Sequence, residues 1–379
     1  MNAPLPRTAT RSADFDHRKL FQPARIGDIE VANRVVMAPL TRSRADEVAG
    51  DVPGSAMNIE YYRQRSNAGL IISEGTQVSP VGKGYMATPG IYSDAQVEGW
   101  KPIVKAVHEA GSKIVAQIWH VGRITHPDLT GGADPVAPSA IQPRTVAYTR
   151  NGKVEMPQPR ALSVEDIAGV VDEFRRGAAN AIRAGFDGVE IHGANGYLID
   201  QFLRDGANQR SDRYGGSVEN RARFALEVVD AVIAEIGAGR VGIRLSPVTP
   251  ANDLSDSNPQ AVFSYLVEEL NKRGIAFIHF IEGATGGSRE VPGFDFAWAR
   301  STFKGTYIAN NGYDRAMAIE AVESGKADAV SFGRLFIANP DLVQRLKHDA
   351  PLNAPNPQTF YTPGPAGYVD YPALEAVAA

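Results

Sequence analysis

The sequence predicts a single α/β domain, a (β/α)8 TIM barrel in which each of eight parallel strands is followed by a helix. Short apolar, β-branched runs recur eight times, and helical patterns that mostly end at a glycine separate them. No linker-like stretch interrupts this alternation. Runs that are apolar throughout are typical of strands buried on both faces of a parallel sheet. A doubly wound open sheet is the alternative arrangement of the same elements.

The predicted strands and helices alternate from residue 34 to residue 348. The strands are 34–39, 70–74, 113–119, 187–192, 240–245, 275–281, 306–309 and 328–332. The helices are 57–67, 94–110, 163–184, 217–236, 259–273, 294–304, 313–324 and 341–348. Asp94 is the expected N-cap of the second helix, and Ser163 with Asp166 has capping-box spacing at the third. The pattern at 294–304 is the least regular.

Two segments lie outside the alternating pattern. Residues 19–34 predict a hairpin that turns at Gly27 and Asp28 and covers the bottom of the barrel. Residues 125–162, an insert after the third strand, are rich in proline and glycine and predict a second hairpin over the active face. We therefore divide the chain into an N-terminal arm, residues 1–18, and a barrel domain, residues 19–379.

Composition excludes several classes of protein. The 379 residues include 39 basic and 43 acidic side chains, a net charge of −4, which disfavours a nucleic-acid partner. The sequence has no cysteine, which excludes a disulfide, a cysteine nucleophile and a cysteine-ligated metal or cluster. No segment approaches the ~20 apolar residues of a membrane span, and no secretory signal is evident. We expect a cytoplasmic monomer or homodimer that acts on small molecules without a metal.

In a barrel enzyme the chemistry lies at the carboxyl ends of the strands. No lysine occupies these ends, which argues against a Schiff-base aldolase. Asn311-Gly312 and Gly333-Arg334, after the last two strands, predict a phosphate site, because barrels of this kind often bind phosphate between those loops. In the alternative interpretation the glycines only shape turns and Arg334 pairs with a surface acid.

The most informative segment follows the fourth strand and contains His192, Asn195 and Tyr197. A histidine N–H and an asparagine amide aimed at one point form a clamp for a carbonyl oxygen or an oxyanion. A phenol beside them is a proton donor. A structural histidine and a tyrosine in core packing are the alternatives, and the occurrence of all three at one strand end favours function.

At these residues the sequence resembles the old yellow enzyme family of flavin-dependent ene-reductases. It is most similar to the bacterial branch that contains pentaerythritol tetranitrate reductase, morphinone reductase and N-ethylmaleimide reductase. The resemblance covers most of the chain, and its motifs are residues 33–42, 116–123, 188–197, 208–220 and 332–341.

The resemblance implies that non-covalent FMN binds at the barrel mouth and that NADPH or NADH donates hydride. The implied flavin contacts are Ala38, Pro39, Leu40, Thr41, Gly75, Gln117 and Arg244, and the implied phosphate contacts are Asn311, Gly312, Gly333 and Arg334. The side chain of Asn311 either adds a phosphate contact or only shapes its loop. His192 and Asn195 would bind the substrate oxygen, and Tyr197 would supply the proton. The implied substrate pocket is lined by Tyr85, Trp119 and Tyr361.

The function implied by the resemblance is an NAD(P)H:alkene oxidoreductase that reduces α,β-unsaturated carbonyls, maleimides and nitroalkenes. Turnover would be ping-pong, with hydride passing through flavin N5. Reduction of nitrate esters or nitroaromatics at the same site is an alternative. A metal-dependent barrel hydrolase using Glu74, Glu190 and His192 is a remote alternative, which rests on Glu190 and His192 sharing one strand face.

Overall fold

The computed structural model describes residues 18–374 of the chain. The predicted N-terminal arm therefore lies outside the described residues, apart from Arg18. The strands, numbered in chain order, are β1 (Ala24–Ile26), β2 (Ile29–Val31), β3 (Val35–Met37), β4 (Leu70–Ile72), β5 (Thr76–Gln77), β6 (Lys113–Trp119), β7 (Val136–Ala137), β8 (Val146–Thr149), β9 (Gly152–Glu155), β10 (Arg160–Ala161), β11 (Gly188–Gly193), β12 (Val241–Leu245), β13 (Phe277–Ile281), β14 (Thr306–Asn310) and β15 (Ala329–Phe332).

Eight of these strands close into a parallel barrel. Each pairs with the next in the order β3, β4, β6, β11, β12, β13, β14 and β15, and β15 pairs with β3. The closure confirms the barrel and excludes the open sheet. The eight strands lie where the sequence predicts them, but several are shorter: the first spans three residues, because only those lie in the ladder between its neighbours.

The helices surround the barrel. They are α1 (Ala56–Gln64), α2 (Asp94–Glu109), α3 (Pro127–Thr130), α4 (Val164–Ala184), α5 (Leu198–Leu203), α6 (Val218–Ile236), α7 (Pro259–Arg273), α8 (Phe296–Thr302), α9 (Arg315–Glu323), α10 (Arg334–Ala338) and α11 (Leu342–His348). None of those between residues 18 and 374 is long and apolar enough to cross a bilayer.

Capping residues fix where the long helices begin and end. The predicted Ser163–Asp166 capping box opens α4, which ends at Gly185 with a φ of 97°. The prediction that Asp94 caps α2 is wrong. Ser93 is the N-cap, because its hydroxyl accepts from the Gln96 N–H while the Gln96 side chain reaches back to the Ser93 backbone.

The N-terminal hairpin closes the bottom of the barrel, as predicted. Strands β1 and β2 pair with Ile26 opposite Ile29, so the turn is Gly27 and Asp28. The Asp28 N–H donates to the Gly239 carbonyl at 2.8 Å, just below β12. Ile26 and Ile29 belong to one buried cluster with Phe277 and other residues of the lower barrel, so the hairpin contributes to the core.

The insert after β6 covers the opposite end. Its strands β8 and β9 form the predicted antiparallel hairpin. Ala147 and Met156 at this hairpin share a buried cluster with Trp119 and Tyr197. The insert therefore covers part of the rim that the carboxyl ends of the strands form.

The C-terminal segment completes that rim. The Arg42 guanidinium, just after β3, donates to the carbonyls of Phe360 and Gly367 at 3.1 and 2.7 Å. It also lies over the rings of Tyr61 and Tyr368, 5.2 and 5.1 Å from their centroids. These contacts hold Tyr361 at the barrel mouth.

Close packing in the lower barrel gives a stability prediction. A methyl group added at Gly242 would overlap the Phe277 ring on the neighbouring strand. Gly242→Ala should therefore lower the free energy of unfolding by about 1–3 kcal/mol, the usual cost of overpacking. Denaturant unfolding measures this loss. Adding Phe277→Leu should recover part of it, and fully additive losses in the double variant would show that the two side chains do not compete for one space.

Candidate active site

A cavity of about 690 Å³ opens at the carboxyl ends of the strands. Eleven of the predicted site residues line it: Ala38, Pro39, Leu40, Thr41, Asn195, Arg244, Asn311, Gly312, Gly333, Arg334 and Tyr361. The other six are not part of this lining, and all are buried or half-buried: Gly75, Tyr85, Gln117, Trp119, His192 and Tyr197. Residues far apart in the sequence therefore converge because the barrel closes.

One side of the cavity is suited to an anion. Arg334 and Gly333 line it after β15, and no carboxylate among residues 18–374 forms an ion pair with Arg334. Gly286 approaches so closely that an added Cβ would lie 2.8 Å from the Arg334 guanidinium. The alternative that Arg334 pairs with a surface acid thus finds no support in this part of the chain.

Asn311 uses its side chain to hold a neighbouring loop. Its Nδ2 donates to the carbonyls of Glu282 and Ala284, both at 2.8 Å, and its Oδ1 accepts from the Gly286 N–H at 3.1 Å. Both ends of the amide are therefore occupied by the loop after β13. Between the two roles left open by the sequence, the geometry favours loop shaping.

Arg244 places a positive charge beneath the cavity. Its guanidinium donates to Asn310 Oδ1 at 2.9 Å, while its buried Nε has no partner among the described residues. Burial lowers the pKa of Arg244, but an arginine remains a cation at neutral pH. The unpaired donor and the fixed charge suit a bound group that accumulates negative charge.

A buried chain of polar side chains crosses the barrel below the cavity. Gln117 Nε2 donates to Glu190 Oε1 at 2.8 Å, and Glu190 Oε2 lies 2.7 Å from His279 Nδ1. His279 Nε2 in turn lies 2.7 Å from the Ser331 hydroxyl. Glu190 thus fixes the Gln117 amide, whose Oε1 is left to accept a bond from a ligand.

Gly75 makes room for an aromatic wall. A Cβ at this position would lie 2.7 Å from the Trp119 indole. Trp119 is stacked with His192 at 5.9 Å between centroids and meets Tyr197 edge-on at 5.0 Å. Gly75 therefore acts on the site through Trp119, a contact that the sequence did not indicate.

His192 is a neutral donor. Its Nδ1 accepts from the Ala194 N–H at 3.3 Å, which places the ring proton on Nε2. Burial, and then the positive charge of Arg244, lower the pKa of His192 well below its usual value. The ring therefore offers an uncharged Nε2–H.

Asn195 is held in the left-handed region, with a φ of 57° that asparagine tolerates better than most residues. Its backbone N–H donates to the Ser246 hydroxyl at 2.8 Å, and its carbonyl accepts from Asn252 Nδ2 at 2.8 Å. Thr285 donates its hydroxyl to Asn195 Oδ1 at 2.7 Å, which leaves Nδ2 as the free donor.

Tyr197 is a protonated phenol paired with a second one. Its hydroxyl lies 2.9 Å from that of Tyr85. Burial, and then the proximity of Tyr85, raise the pKa of Tyr197 well above its usual value, so the proton is retained at neutral pH. The rings of His192 and Tyr197 meet edge-on with 5.0 Å between centroids.

These features define a barrel protein with a polar ligand site at its mouth, and comparison with known proteins shows its class. The model of the NADH:flavin oxidoreductase / NADH oxidase family matches residues 19–353. A putative 12-oxophytodienoate reductase 2 from Oryza sativa subsp. japonica is 48% identical over 363 residues, 94% of this chain and 95% of the relative. The 12-oxophytodienoate reductase 2 of Arabidopsis thaliana is 46% identical over 376 residues, 95% of this chain and 96% of the relative.

Solved structures agree as well. The old yellow enzyme homologue from Zymomonas mobilis superimposes with a TM-score of 0.91 at 46% identity, covering 94% of this chain and 100% of that one. Morphinone reductase in complex with tetrahydroNAD superimposes with a TM-score of 0.88 at 47% identity, covering 94% of this chain and 98% of that one. The chain therefore belongs to the NADH:flavin oxidoreductase / NADH oxidase family, which includes old yellow enzyme. It is an NAD(P)H-dependent flavin oxidoreductase whose cofactor is FMN.

The residues present fit this cofactor. Arg334 is a cation without an acidic partner in the described chain, and it suits a phosphate. Arg244 supplies an unpaired donor, and Gln117 supplies an unengaged amide oxygen. A metal centre finds no comparable support: residues 18–374 contain no cluster of three side chains able to hold an ion, and Glu190 is already bonded to Gln117 and His279.

Several residues around the site were not assigned a role in it by sequence reasoning. They are Ser246, Thr249, Asn252, His279, Thr285, Asn310 and Ser331. Glu190 and His279 carried a signal, because charged or titratable side chains inside apolar strands need partners. The threonines and serines carried none, since such residues are common in any loop.

The lowered pKa of His192 gives a pH prediction. The folded protein resists protonation of this ring, so below about pH 6.5 only the unfolded chain binds the proton. This difference lowers the free energy of unfolding as the pH falls. Histidine NMR of labelled protein should show His192 as the neutral Nε2–H tautomer down to pH 5.5, with His192→Asn identifying its signals. A titration of those signals near pH 6.5 would contradict the assignment.

Proposed function

We propose that this flavin oxidoreductase is an ene-reductase that reduces α,β-unsaturated carbonyls, maleimides and nitroalkenes. One observation carries the proposal: the His192 ring, an uncharged donor through Nε2–H, packs edge-on against the protonated phenol of Tyr197, and Asn195, on the same turn, has Nδ2 as a second uncharged donor. Two donors to one oxygen and a nearby acid are what addition of hydride and a proton across an activated C=C bond requires.

His192 and Asn195 would bind the activating oxygen of the substrate. Negative charge develops on that oxygen as hydride reaches the β-carbon, so both hydrogen bonds strengthen toward the transition state. Donors that are neutral and already oriented need little reorganisation at that moment. Burial of His192 keeps the bond in a region of low dielectric constant, where it is stronger than in water.

Tyr197 would hold the proton that the α-carbon receives. Its raised pKa keeps the hydroxyl protonated at neutral pH, and the Tyr85 hydroxyl at 2.9 Å is placed to donate to the phenolate oxygen left behind. Trp119 packs against the ring of Tyr197, the proposed acid, and against the ring of His192, one of the two proposed donors. This packing fixes the distance between those two rings.

The cofactor supplies the redox chemistry: when bound, FMN accepts hydride from the nicotinamide and delivers it to the substrate. Thr41, Gln117 and Arg244 would hold its ring system, and Arg334 with Gly312 and Gly333 its phosphate. Arg244 would stabilise negative charge on the reduced ring. A cytoplasmic location and a monomeric or homodimeric state remain predictions from the sequence.

The first test follows the visible spectrum of the FMN-loaded protein without oxygen. NADPH or NADH should bleach the flavin, and 2-cyclohexenone should then restore its colour. Bleaching without recovery would remove simple enones from the proposal, and nitroaromatics and nitrate esters would be tried next.

Replacement of the acid should separate the two half-reactions. Tyr197→Phe should slow reoxidation by 2-cyclohexenone about 100-fold, within the range of general acid catalysis, because the group proposed to protonate the α-carbon is removed. Flavin reduction by NADPH should stay within about twofold, as measured by stopped-flow absorbance. Equal losses in both half-reactions would remove Tyr197 from the role of acid.

Replacement of Arg334 tests the phosphate site. Arg334→Ala should weaken FMN binding by about 2 kcal/mol, roughly 30-fold, as expected for a charge-assisted contact. Riboflavin, which lacks the phosphate, serves as the matched ligand, and its affinity should not change. Titration calorimetry on the apoprotein measures both. An equal loss for the two ligands would place Arg334 elsewhere than at the phosphate.

A further inference from the structure

We propose that Thr285 is a positioning residue that sets which end of the Asn195 amide faces the substrate. This inference rests on the proposed function, in which Asn195 donates to the substrate oxygen. The two ends of an asparagine amide are almost equal in size but opposite in role, since Nδ2 donates and Oδ1 accepts. Asn195 strengthens the clamp only if Nδ2 is presented.

The contact that selects Nδ2 is direct. The Thr285 hydroxyl donates to Asn195 Oδ1 at 2.7 Å, in the range of the best hydroxyl hydrogen bonds. With Oδ1 bound, the opposite end of the amide is the one left for a ligand. Thr285 and Asn195 both line the 690 Å³ cavity, so this selection takes place at its wall.

A second threonine holds Thr285 in this arrangement. The Thr249 hydroxyl donates to the Gly283 carbonyl at 3.0 Å and accepts from the Thr285 N–H at 3.2 Å. The Thr285 hydroxyl lies 2.7 Å from Asn195 Oδ1 and farther from the Thr249 hydroxyl, so its proton goes to the nearer acceptor, the Asn195 amide oxygen. The two hydroxyl oxygens lie 3.1 Å apart.

The remaining freedom of Asn195 lies in its side chain. Ser246 and Asn252 already hold the backbone N–H and carbonyl of this residue. These backbone bonds do not prevent rotation of the amide by half a turn, and the Thr285 bond opposes that rotation.

The loop that carries Thr285 is anchored on the anion side of the cavity. Asn311 binds backbone groups of Glu282, Ala284 and Gly286, which bracket Thr285 on both sides. Gly286 also lies against the Arg334 guanidinium. One loop thus contacts Arg334, which is proposed to bind the phosphate, and orients the amide of Asn195, which is proposed to bind the substrate.

Thr285→Val tests the proposal with little change of shape, and Thr285→Ser is its matched control because it keeps the hydroxyl. The probe is 4-nitrophenol at pH 8.5, where this phenol is ionised, because a phenolate oxygen only accepts hydrogen bonds. For FMN-loaded protein, Thr285→Val should weaken 4-nitrophenol binding about five- to tenfold, the size of one hydrogen bond, and Thr285→Ser by less than about twofold. Titration calorimetry measures the dissociation constants without turnover.

A double-mutant cycle distinguishes positioning from a general structural effect. In an Asn195→Ala background, Thr285→Val should have no further effect on 4-nitrophenol binding, because no amide remains to be oriented. Equal effects of Thr285→Val with and without Asn195 would overturn the proposal, as would equal behaviour of the Val and Ser variants. If Asn195→Ala alone leaves 4-nitrophenol affinity unchanged, the clamp of the proposed function fails instead.

Discussion

Pairing of β15 with β3 joins the last barrel strand to the first, and the site depends on this closure. A closed parallel sheet brings the carboxyl ends of all its strands to one rim. Thr41 and Arg334, almost 300 residues apart in the chain, line one cavity for this reason. The hairpin below the barrel contributes to the same core, so the bottom stabilises the frame while the top carries the chemistry.

Burial determines the electrical character of the clamp. Arg244 is a fixed cation close to His192, and the proposed proton donors of the clamp are neutral. A charged imidazole next to Arg244 would be repelled and poorly solvated, so the ring stays neutral and donates through Nε2. An amide and a phenol complete a set that does not change its charge near neutral pH. Such a set would suit the oxygen of a substrate that gains negative charge during the proposed reaction.

Much of the fold followed from the sequence, because strands buried on both faces and helices that end at glycine leave strong local signals. The boundaries of the strands could not be predicted in the same way, because the length of β3, three residues, is set by its pairing with β15 and β4. His192, Asn195 and Tyr197 were predicted as site residues from their spacing and from the resemblance. Thr285 escaped detection because its partner is 90 residues away and its loop has no distinctive composition. Gly75 was expected beside the flavin, whereas packing against Trp119 is visible only in three dimensions.

The hydrogen bonds from Arg42 to the C-terminal segment have a consequence for folding during synthesis. The bonds to Phe360 and Gly367 span 318 and 325 residues, among the longest separations the chain permits. Contacts of such high order form late, because the intervening chain must first be brought together. Arg42 is synthesised early, yet the rim beside it is finished only after nearly the whole polypeptide has been translated. The pocket is therefore among the last parts of the molecule to mature, and a nascent chain has no finished cofactor site until its C-terminal segment has docked.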